Sequence, residues 1–253
     1  MAYLIYGIVK EPVIVGSSMT GMKGQAVSFV AGNGLCAAVS ELDAEEGAPP
    51  IAELLAYSKV VENLHNLQTV VPMRYGCFFN GIEAIRNALK ERQCQYEILL
   101  AQLAGHVEMG IRILLPEKKW CPRQEETTMG RDALSPSGTT VDGRAYLAFR
   151  KVHYQMHDEV LHGRQALIDC YTQVFSGLYA KYRTEMDTKN GAVILSLYFL
   201  TPESKVNRFR EAFREMLEKE NAEALLSGPW PPYNFVTTDL ASAQFSPPLQ
   251  RGI

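Results

Sequence analysis

VVPMRYGCFFNG, residues 70–81, combines the residues of a buried strand with two residues that such a strand rarely contains. The valines and phenylalanines favour β structure. Pro72, however, has no backbone N–H to donate to a neighbouring strand, and Arg74 is costly to bury unless another group pairs with its charge. The stretch therefore predicts either an edge strand with a bulge or a functional site.

Strand patterns precede this stretch, and helical patterns flank it. YLIYGIV at 3–9 predicts a strand, and QAVSFVAGNGLCAAVSEL at 25–42 predicts two strands joined by a short turn at 32–34. Apolar residues at helical spacing, among them Leu54 and Leu55, predict a helix over 50–68. One further helix is predicted over 81–105, capped by Asn80, and alternation predicts a strand over 106–116.

The second half of the chain begins with a polar segment and then repeats the mixture of helix and strand. Residues 117–143 are rich in Gly, Pro, Ser and Thr and predict a linker or mobile loop. Beyond it we predict a long helical stretch over 144–186, either continuous or broken around Gly163, then a strand over 191–201, a helix over 202–223 and a short strand opening 224–236.

These patterns predict an α+β fold of two domains. The first spans residues 1–116, and the second spans 144–236 and contains the long helix. Residues 237–253 are predicted to form a flexible tail.

Composition excludes several classes of function. The net charge of −3 gives no electrostatic footprint for nucleic acid. No apolar run reaches the length of a membrane span, and the N-terminus lacks a basic leader, so we expect a soluble cytoplasmic protein. The five cysteines are scattered without a CxxC spacing, which is typical of reduced thiols.

The sequence shows no catalytic or cofactor-binding motif, and one metal pattern is incomplete. His153 and His157 lie four residues apart on the predicted long helix, so both imidazoles would project from one face. The glutamate of the zinc-protease motif is missing, and no third ligand is specified. We therefore expect a solvated helix face rather than a metal site.

Two features indicate a structural anchor or a binding surface. Arg74 is predicted to pair with a carboxylate or carbonyl oxygen, either within the fold or on a partner. In SGPWPPYNF, residues 227–235, three prolines stiffen the chain beside Trp230, Tyr233 and Phe235. These rings are expected either to pack across the domain boundary or to line an interdomain groove that binds a partner.

The order of YLIYGIV, VVPMRYGCFF and LLSGPWPPYNFV resembles the gas vesicle GvpF/GvpL family over residues 3–236. The resemblance implies a non-enzymatic accessory protein of gas vesicle formation, located with the vesicle in the cytoplasm. It also implies two α+β domains, the first with a modified ferredoxin-like fold. Arg74 and Tyr75 belong to the motif P-x-R-[FY]-G of that family.

The resemblance and the residues together predict a binding function. The expected partners are the vesicle shell protein and other accessory proteins, contacted through Arg74, Tyr75, Trp230, Tyr233 and Phe235. The protein could act during assembly or remain as a minor wall component. A metal-dependent enzyme or small-molecule sensor on a ferredoxin-like scaffold, using His153 and His157, is the alternative.

Overall fold

A computed structural model describes residues 2–11, 19–42, 49–115, 165–189, 192–220 and 224–236. The strands are β1 Ala2–Lys10, β2 Ser28–Gly32, β3 Leu35–Glu41, β4 Val70–Pro72, β5 Phe78–Asn80, β6 His106–Leu115, β7 Lys181–Lys189, β8 Ala192–Pro202 and β9 Ala224–Trp230. The helices are α1 Ile51–Leu67, α2 Ile82–Glu91, α3 Gln93–Leu103, α4 at 165–174 and α5 Val206–Glu220. The predicted α+β class is confirmed.

The first sheet is antiparallel and is built around β1. Its order is β2-β3-β1-β4, in which β4 pairs with residues 7–9 of β1, and β5 pairs with residues 2–4 at the other end of β1. β1 is buried over most of its length, which explains its nearly continuous apolar sequence. The β2–β3 turn places Asn33 and Gly34 at φ 55° and 75°, and two positive φ values suit the right-handed twist of the hairpin.

The stretch at 70–81 forms two short strands with a turn between them. β4 and β5 both pair antiparallel with β1, and Pro72 ends β4 opposite Gly7. Met73 N donates to Tyr6 O at 2.9 Å, and Ile5 N donates to Cys77 O at 3.0 Å, so the turn stays attached to β1. Among the described residues β4 ends the sheet path, where a proline is tolerated, so the edge-strand alternative is found for Val70–Pro72.

Helix α1 has apolar residues on two faces, and only one of them is buried. Val60, Val61 and Leu64 are buried, whereas Leu54 is 36% and Leu55 65% exposed. Successive residues turn by about 100° around a helix, so Leu55, nine residues before Leu64, lies on the opposite side. Leu54 shares the side of Val61, seven residues later, and is exposed near the start of the helix. The helix predicted over 50–68 is confirmed as Ile51–Leu67, and Leu55 does not belong to its buried face.

The single helix predicted over 81–105 is divided at Arg92. That residue has φ −111° and ψ 16°, between α2 and α3. Helix α2 contacts β2, β3 and β5, whereas α3 contacts β4 and β1, so the break lets two helices cover different parts of one sheet. Gly81 rather than Asn80 occupies the N-cap position of α2, and no side-chain cap is formed there.

The second sheet has the order β7-β8-β6-β9. β7 lies in the segment that was predicted as the end of a long helix, so that part of the prediction is wrong. The sequence KYRTEMDTK alternates charged residues with Tyr, Thr and Met, a period of two that suits a strand. Phe175, which follows α4, stacks on Phe209 of α5 with ring centres 4.3 Å apart.

The chain divides into two compact units. The first comprises Met1–Met109, Phe199–Val206 and Ser227–Ile253, and the second comprises Gly110–Tyr198 and Asn207–Leu226. The predicted domain limits at residues 116, 143 and 236 stay predictions, because 117–143 and 237–253 lie outside the described residues.

Candidate functional site

Asn234 connects the two sequence motifs to strand β6 within the first unit. Its backbone N donates to Oε2 of Glu108 at 2.8 Å, and its Nδ2 donates to Oε1 at 2.7 Å. On the other side of the same amide, Arg74 Nη2 donates to Oδ1 at 3.3 Å. We call this group the Arg74–Asn234–Glu108 bridge. It orients the Asn234 amide, because the carboxylate needs a donor and the guanidinium needs an acceptor.

Glu108 is, with Asn234, a member of this bridge that no sequence pattern singled out. Its side chain is 4% exposed and lies in β6 between Val107 and Met109, which are also buried. A buried carboxylate needs hydrogen-bond donors to offset its lost hydration, and Asn234 supplies one to each oxygen. Alternation along a strand places Glu108 on the face opposite that of Val107 and Met109. The only available signal was an acidic residue among apolar strand neighbours.

Arg74 lies at the surface rather than inside a strand. It is exposed and precedes the turn at Tyr75 and Gly76 between β4 and β5. Its acceptor is the amide oxygen of Asn234, so the predicted carbonyl-type partner is found within the fold. The residue is exposed, so an acidic group of another molecule can reach its side chain.

Tyr75, in the turn that follows Arg74, packs in a cluster of aromatic rings. Its ring meets Tyr57 of α1 edge-on at 5.7 Å and Phe78 of β5 edge-on at 6.3 Å. The Tyr57 hydroxyl lies 2.8 Å from Met73 O and 3.0 Å from Ile5 O, and it can donate to either carbonyl. Burial raises the pKa of Tyr57 well above its ordinary value, so this hydroxyl keeps its proton. The cluster fixes the position of the turn that carries Arg74.

The proline-rich segment places its three aromatic rings at different depths. Phe235 is 7% exposed, Tyr233 is partly buried against the core cluster that contains Tyr57, and Trp230 is 45% exposed. Burial, with the nearby carboxylates of Glu62 and Glu108, raises the pKa of Tyr233. Trp230 and Arg74 are therefore the two candidate residues that another molecule could reach without rearrangement of the fold.

Gly228 allows β9 to approach β6 closely. It has φ +105°, and a Cβ built on it would lie 2.5 Å from the carbonyl oxygen of Glu108. No other residue type fits at this position without displacing strand β6 or strand β9. This requirement gives a physical reason for the glycine that opens the motif GPWPPY-F.

The two histidines considered as metal ligands are not among the described residues. His153 and His157 lie outside it, so their proposed role stays a prediction. Within the described ranges, no group of three or more His, Cys, Asp and Glu side chains is placed to hold a metal ion. Among the described helices, none is both long and apolar enough to cross a bilayer.

Residues 2–237, which contain all of these motifs, match the family model described as gas vesicle synthesis protein GvpL/GvpF. The chain belongs to the GvpL/GvpF family. The resemblance inferred from the three motifs is thereby confirmed.

Curated relatives of this GvpL/GvpF chain share low identity over most of their length. Gas vesicle protein F2 of Halobacterium salinarum is 23% identical over 244 residues, covering 94% of each chain. Gas vesicle protein F1 of the same organism is 22% identical over 214 residues, covering 83% of this chain and 81% of the relative.

Two crystal structures share the fold. GvpF from Anabaena sp. PCC7120 superposes with a TM-score of 0.71 at 19% identity, covering 93% of this chain and 96% of that one. GvpF from Microcystis aeruginosa also gives 0.71, at 17% identity, covering 93% and 99%. At these identities the likeness establishes the fold, while the family model places the chain among gas vesicle proteins.

Proposed function

We propose that this GvpL/GvpF protein is an accessory factor that binds the gas vesicle shell subunit, or another accessory protein, during vesicle assembly. The proposed contact surface consists of Trp230 and Arg74, supported from beneath by Tyr75, Tyr233 and Phe235. The observation that carries the proposal is the Arg74–Asn234–Glu108 bridge, which joins the two family motifs and leaves one large ring and one cation exposed.

The rigidity of this surface favours recognition. Trp230 is followed by two buried prolines and by the turn Tyr233–Phe235, whose last ring is buried. Arg74 is held at its guanidinium by Asn234. Exposed Trp and Arg side chains that are already ordered lose little conformational entropy on binding, and these residue types are frequent among dominant interface contacts.

The proposed partner, the shell subunit, has an apolar face that suits an exposed aromatic ring. A wall protein with an apolar face toward gas exposes that face to water before assembly. A factor that covers it with an aromatic ring would limit aggregation, and a cation nearby would orient an acidic group of the subunit.

Helix α1 offers a second exposed apolar surface in the same unit, and the experiment must separate the two. Ile51 is 76% and Leu55 65% exposed on its first two turns. Leu55→Ser therefore serves as a matched variant, because it removes exposed apolar area away from Trp230 and Arg74 in sequence and leaves the motifs unchanged.

The test is quantitative binding of the purified chain to freshly prepared shell subunit and, separately, to each accessory protein encoded beside it. Trp230→Ala combined with Arg74→Ala is expected to weaken binding to one of these partners about tenfold or more, as loss of two dominant contacts does. The thermal midpoint should stay close to that of the parent chain, and Leu55→Ser should bind normally.

Three results would contradict the proposal. Parent-level affinity of the double variant for every partner would exclude the Trp230 and Arg74 surface. Weakened binding of Leu55→Ser alone would assign the contact to α1 instead. Absence of saturable binding by the parent chain to any of these proteins would remove the accessory-binding function itself.

A further inference from the structure

Strand β7 carries a charge pattern that is complementary to itself. Lys181, Arg183, Glu185 and Asp187 occupy alternate positions, so their side chains share one face of the strand. All four are exposed. Tyr198 of the neighbouring strand β8 donates to Glu185 Oε2 at 3.3 Å, which shows that the charged face of β7 lies beside Tyr198.

β7 is also placed where a further strand can pair with it. It is the first strand in the order β7-β8-β6-β9, and the described residues add no strand beyond it. It is nine residues long and contains no proline. The backbone N–H and C=O groups on the outer side of such a strand form a template for pairing.

We propose that β7 pairs antiparallel with β7 of a second copy of this chain, in the register that places Thr184 opposite Thr184 on a two-fold axis. In this register Arg183 lies opposite Glu185 of the second copy, and Lys181 lies opposite Asp187. The two-fold axis repeats each pair, so four cross-strand pairs of opposite charge form along one face.

Other registers that keep like faces together lack this complementarity. Centring the axis on Glu185 opposes that carboxylate to itself, and centring it on Arg183 opposes two guanidinium groups. Moving the centre to Tyr182 opposes Lys181 to Arg183, whereas moving it to Met186 opposes Glu185 to Asp187. Like charges directly opposite each other destabilise a strand pair, so the charge pattern selects one register.

The second face of β7 suits the same pairing. Tyr182, which is 42% exposed, would lie opposite the partly buried Met186 of the second copy, and the two threonines would meet at the axis. An aromatic ring beside a methionine is a favourable cross-strand pair. The resulting interface joins two four-stranded sheets into one of eight strands.

The test is the oligomeric state of the full chain, measured by sedimentation or light scattering over a range of protein concentrations and at low and high salt. The parent chain is expected to form a dimer whose dissociation constant rises with salt, because the pairs are exposed at a sheet edge. Arg183→Glu alone and Glu185→Arg alone should each weaken the dimer about tenfold or more, since each converts two attractive pairs into repulsive ones.

The double variant Arg183→Glu with Glu185→Arg decides the register. It is expected to restore the dimer to within about threefold of the parent, because opposite charges again face each other. A monomeric parent chain, a dimer insensitive to the single reversals, or a double variant that stays dissociated while its circular dichroism matches the parent would each overturn the proposal.

Discussion

Asn234 illustrates how one side chain can give physical meaning to two distant motifs. Its carbonyl oxygen accepts from Arg74, which is 160 residues away in the chain, and its N–H groups donate to the buried Glu108. The two ends of the amide therefore experience different environments. One end is in contact with water, while the other satisfies a buried charge.

We expect Asn234→Ala to lower the free energy of unfolding by about 1–3 kcal/mol, because it removes a side-chain donor from a buried carboxylate. Arg74→Ala should change it by no more than about 0.5 kcal/mol, since the contact that it removes is exposed. Urea denaturation of both variants measures the two values. Equal losses would mean that Arg74 contributes to the fold as much as Asn234 does.

Helix α1 shows that hydrophobic periodicity predicts a helix but does not predict which side of it is buried. Residues such as Leu55 and Leu64 both belong to apolar sets with helical spacing, yet the first is 65% exposed and the second 1%. Spacing identifies which residues share a face of the helix. Which of two apolar faces packs against the sheet depends on the position of the helix, and a local pattern does not contain that information.

Leu64→Ala is expected to cost about 2–5 kcal/mol of stability, because it leaves a cavity in the core under the first sheet. Leu55→Ser on the exposed face should cost less than about 0.5 kcal/mol. Thermal denaturation followed by circular dichroism compares the two variants. Similar midpoints for both would contradict the rotation of α1 described above.

Strand β7 lies in a segment whose sequence also fits a helix. The segment that ends in KYRTEM was predicted to continue a helix, because its charged and aromatic residues are compatible with helical spacing over a longer window. Alternation within Lys181–Lys189 is the better indicator, since every second residue from Lys181 to Asp187 is charged and exposed. A strand is easily overlooked inside a longer window of residues that favours helix.

For the whole molecule, several buried ionisable groups determine how stability depends on pH. Burial lowers the pKa of His65, although the nearby Glu203 opposes the shift. Both ring nitrogens of His65 are buried without a hydrogen-bond partner among the described residues. Burial and a contact with Glu11 raise the pKa of the Cys36 thiol to about 11, and burial raises the pKa of Tyr57 and Tyr233 as well.

We expect maximal stability between pH values near 6.5 and 9. Below the ordinary His pKa of 6.5 the unfolded chain binds a proton that folded His65 resists, so stability falls as pH decreases. Above the ordinary Cys pKa of 9.0 the unfolded chain releases protons that folded Cys36 retains, so stability falls as pH increases. Thermal midpoints measured from about pH 5 to about pH 11 trace both limbs.

Two variants test which residue causes the loss of stability at low pH and which causes it at high pH. His65→Leu should flatten the decline below the His pKa, and Cys36→Ala should reduce the decline above the Cys pKa. If His65→Leu leaves the loss of stability at low pH unchanged, another group takes up the proton that causes this loss.

The sequence alone determined the features that depend on local chemistry. Residue type and turn signals identified strand β1 and the β2–β3 hairpin at Asn33 and Gly34, and Pro72 indicated an edge strand as one of two alternatives. The order of three motifs identified the family. Each of these signals lies within a few neighbouring residues, where backbone geometry and side-chain type are directly linked.

Only the tertiary structure determined that Arg74, Glu108 and Asn234 meet, that Trp230 is exposed while Phe235 is buried, and which face of α1 packs inward. Strand alternation places Glu108 on the face opposite that of Val107 and Met109, and no local pattern indicates the amide that hydrogen-bonds to it. Contacts between residues far apart in the chain depend on how whole elements are placed against one another. That placement follows from burial of the complete core rather than from any single segment.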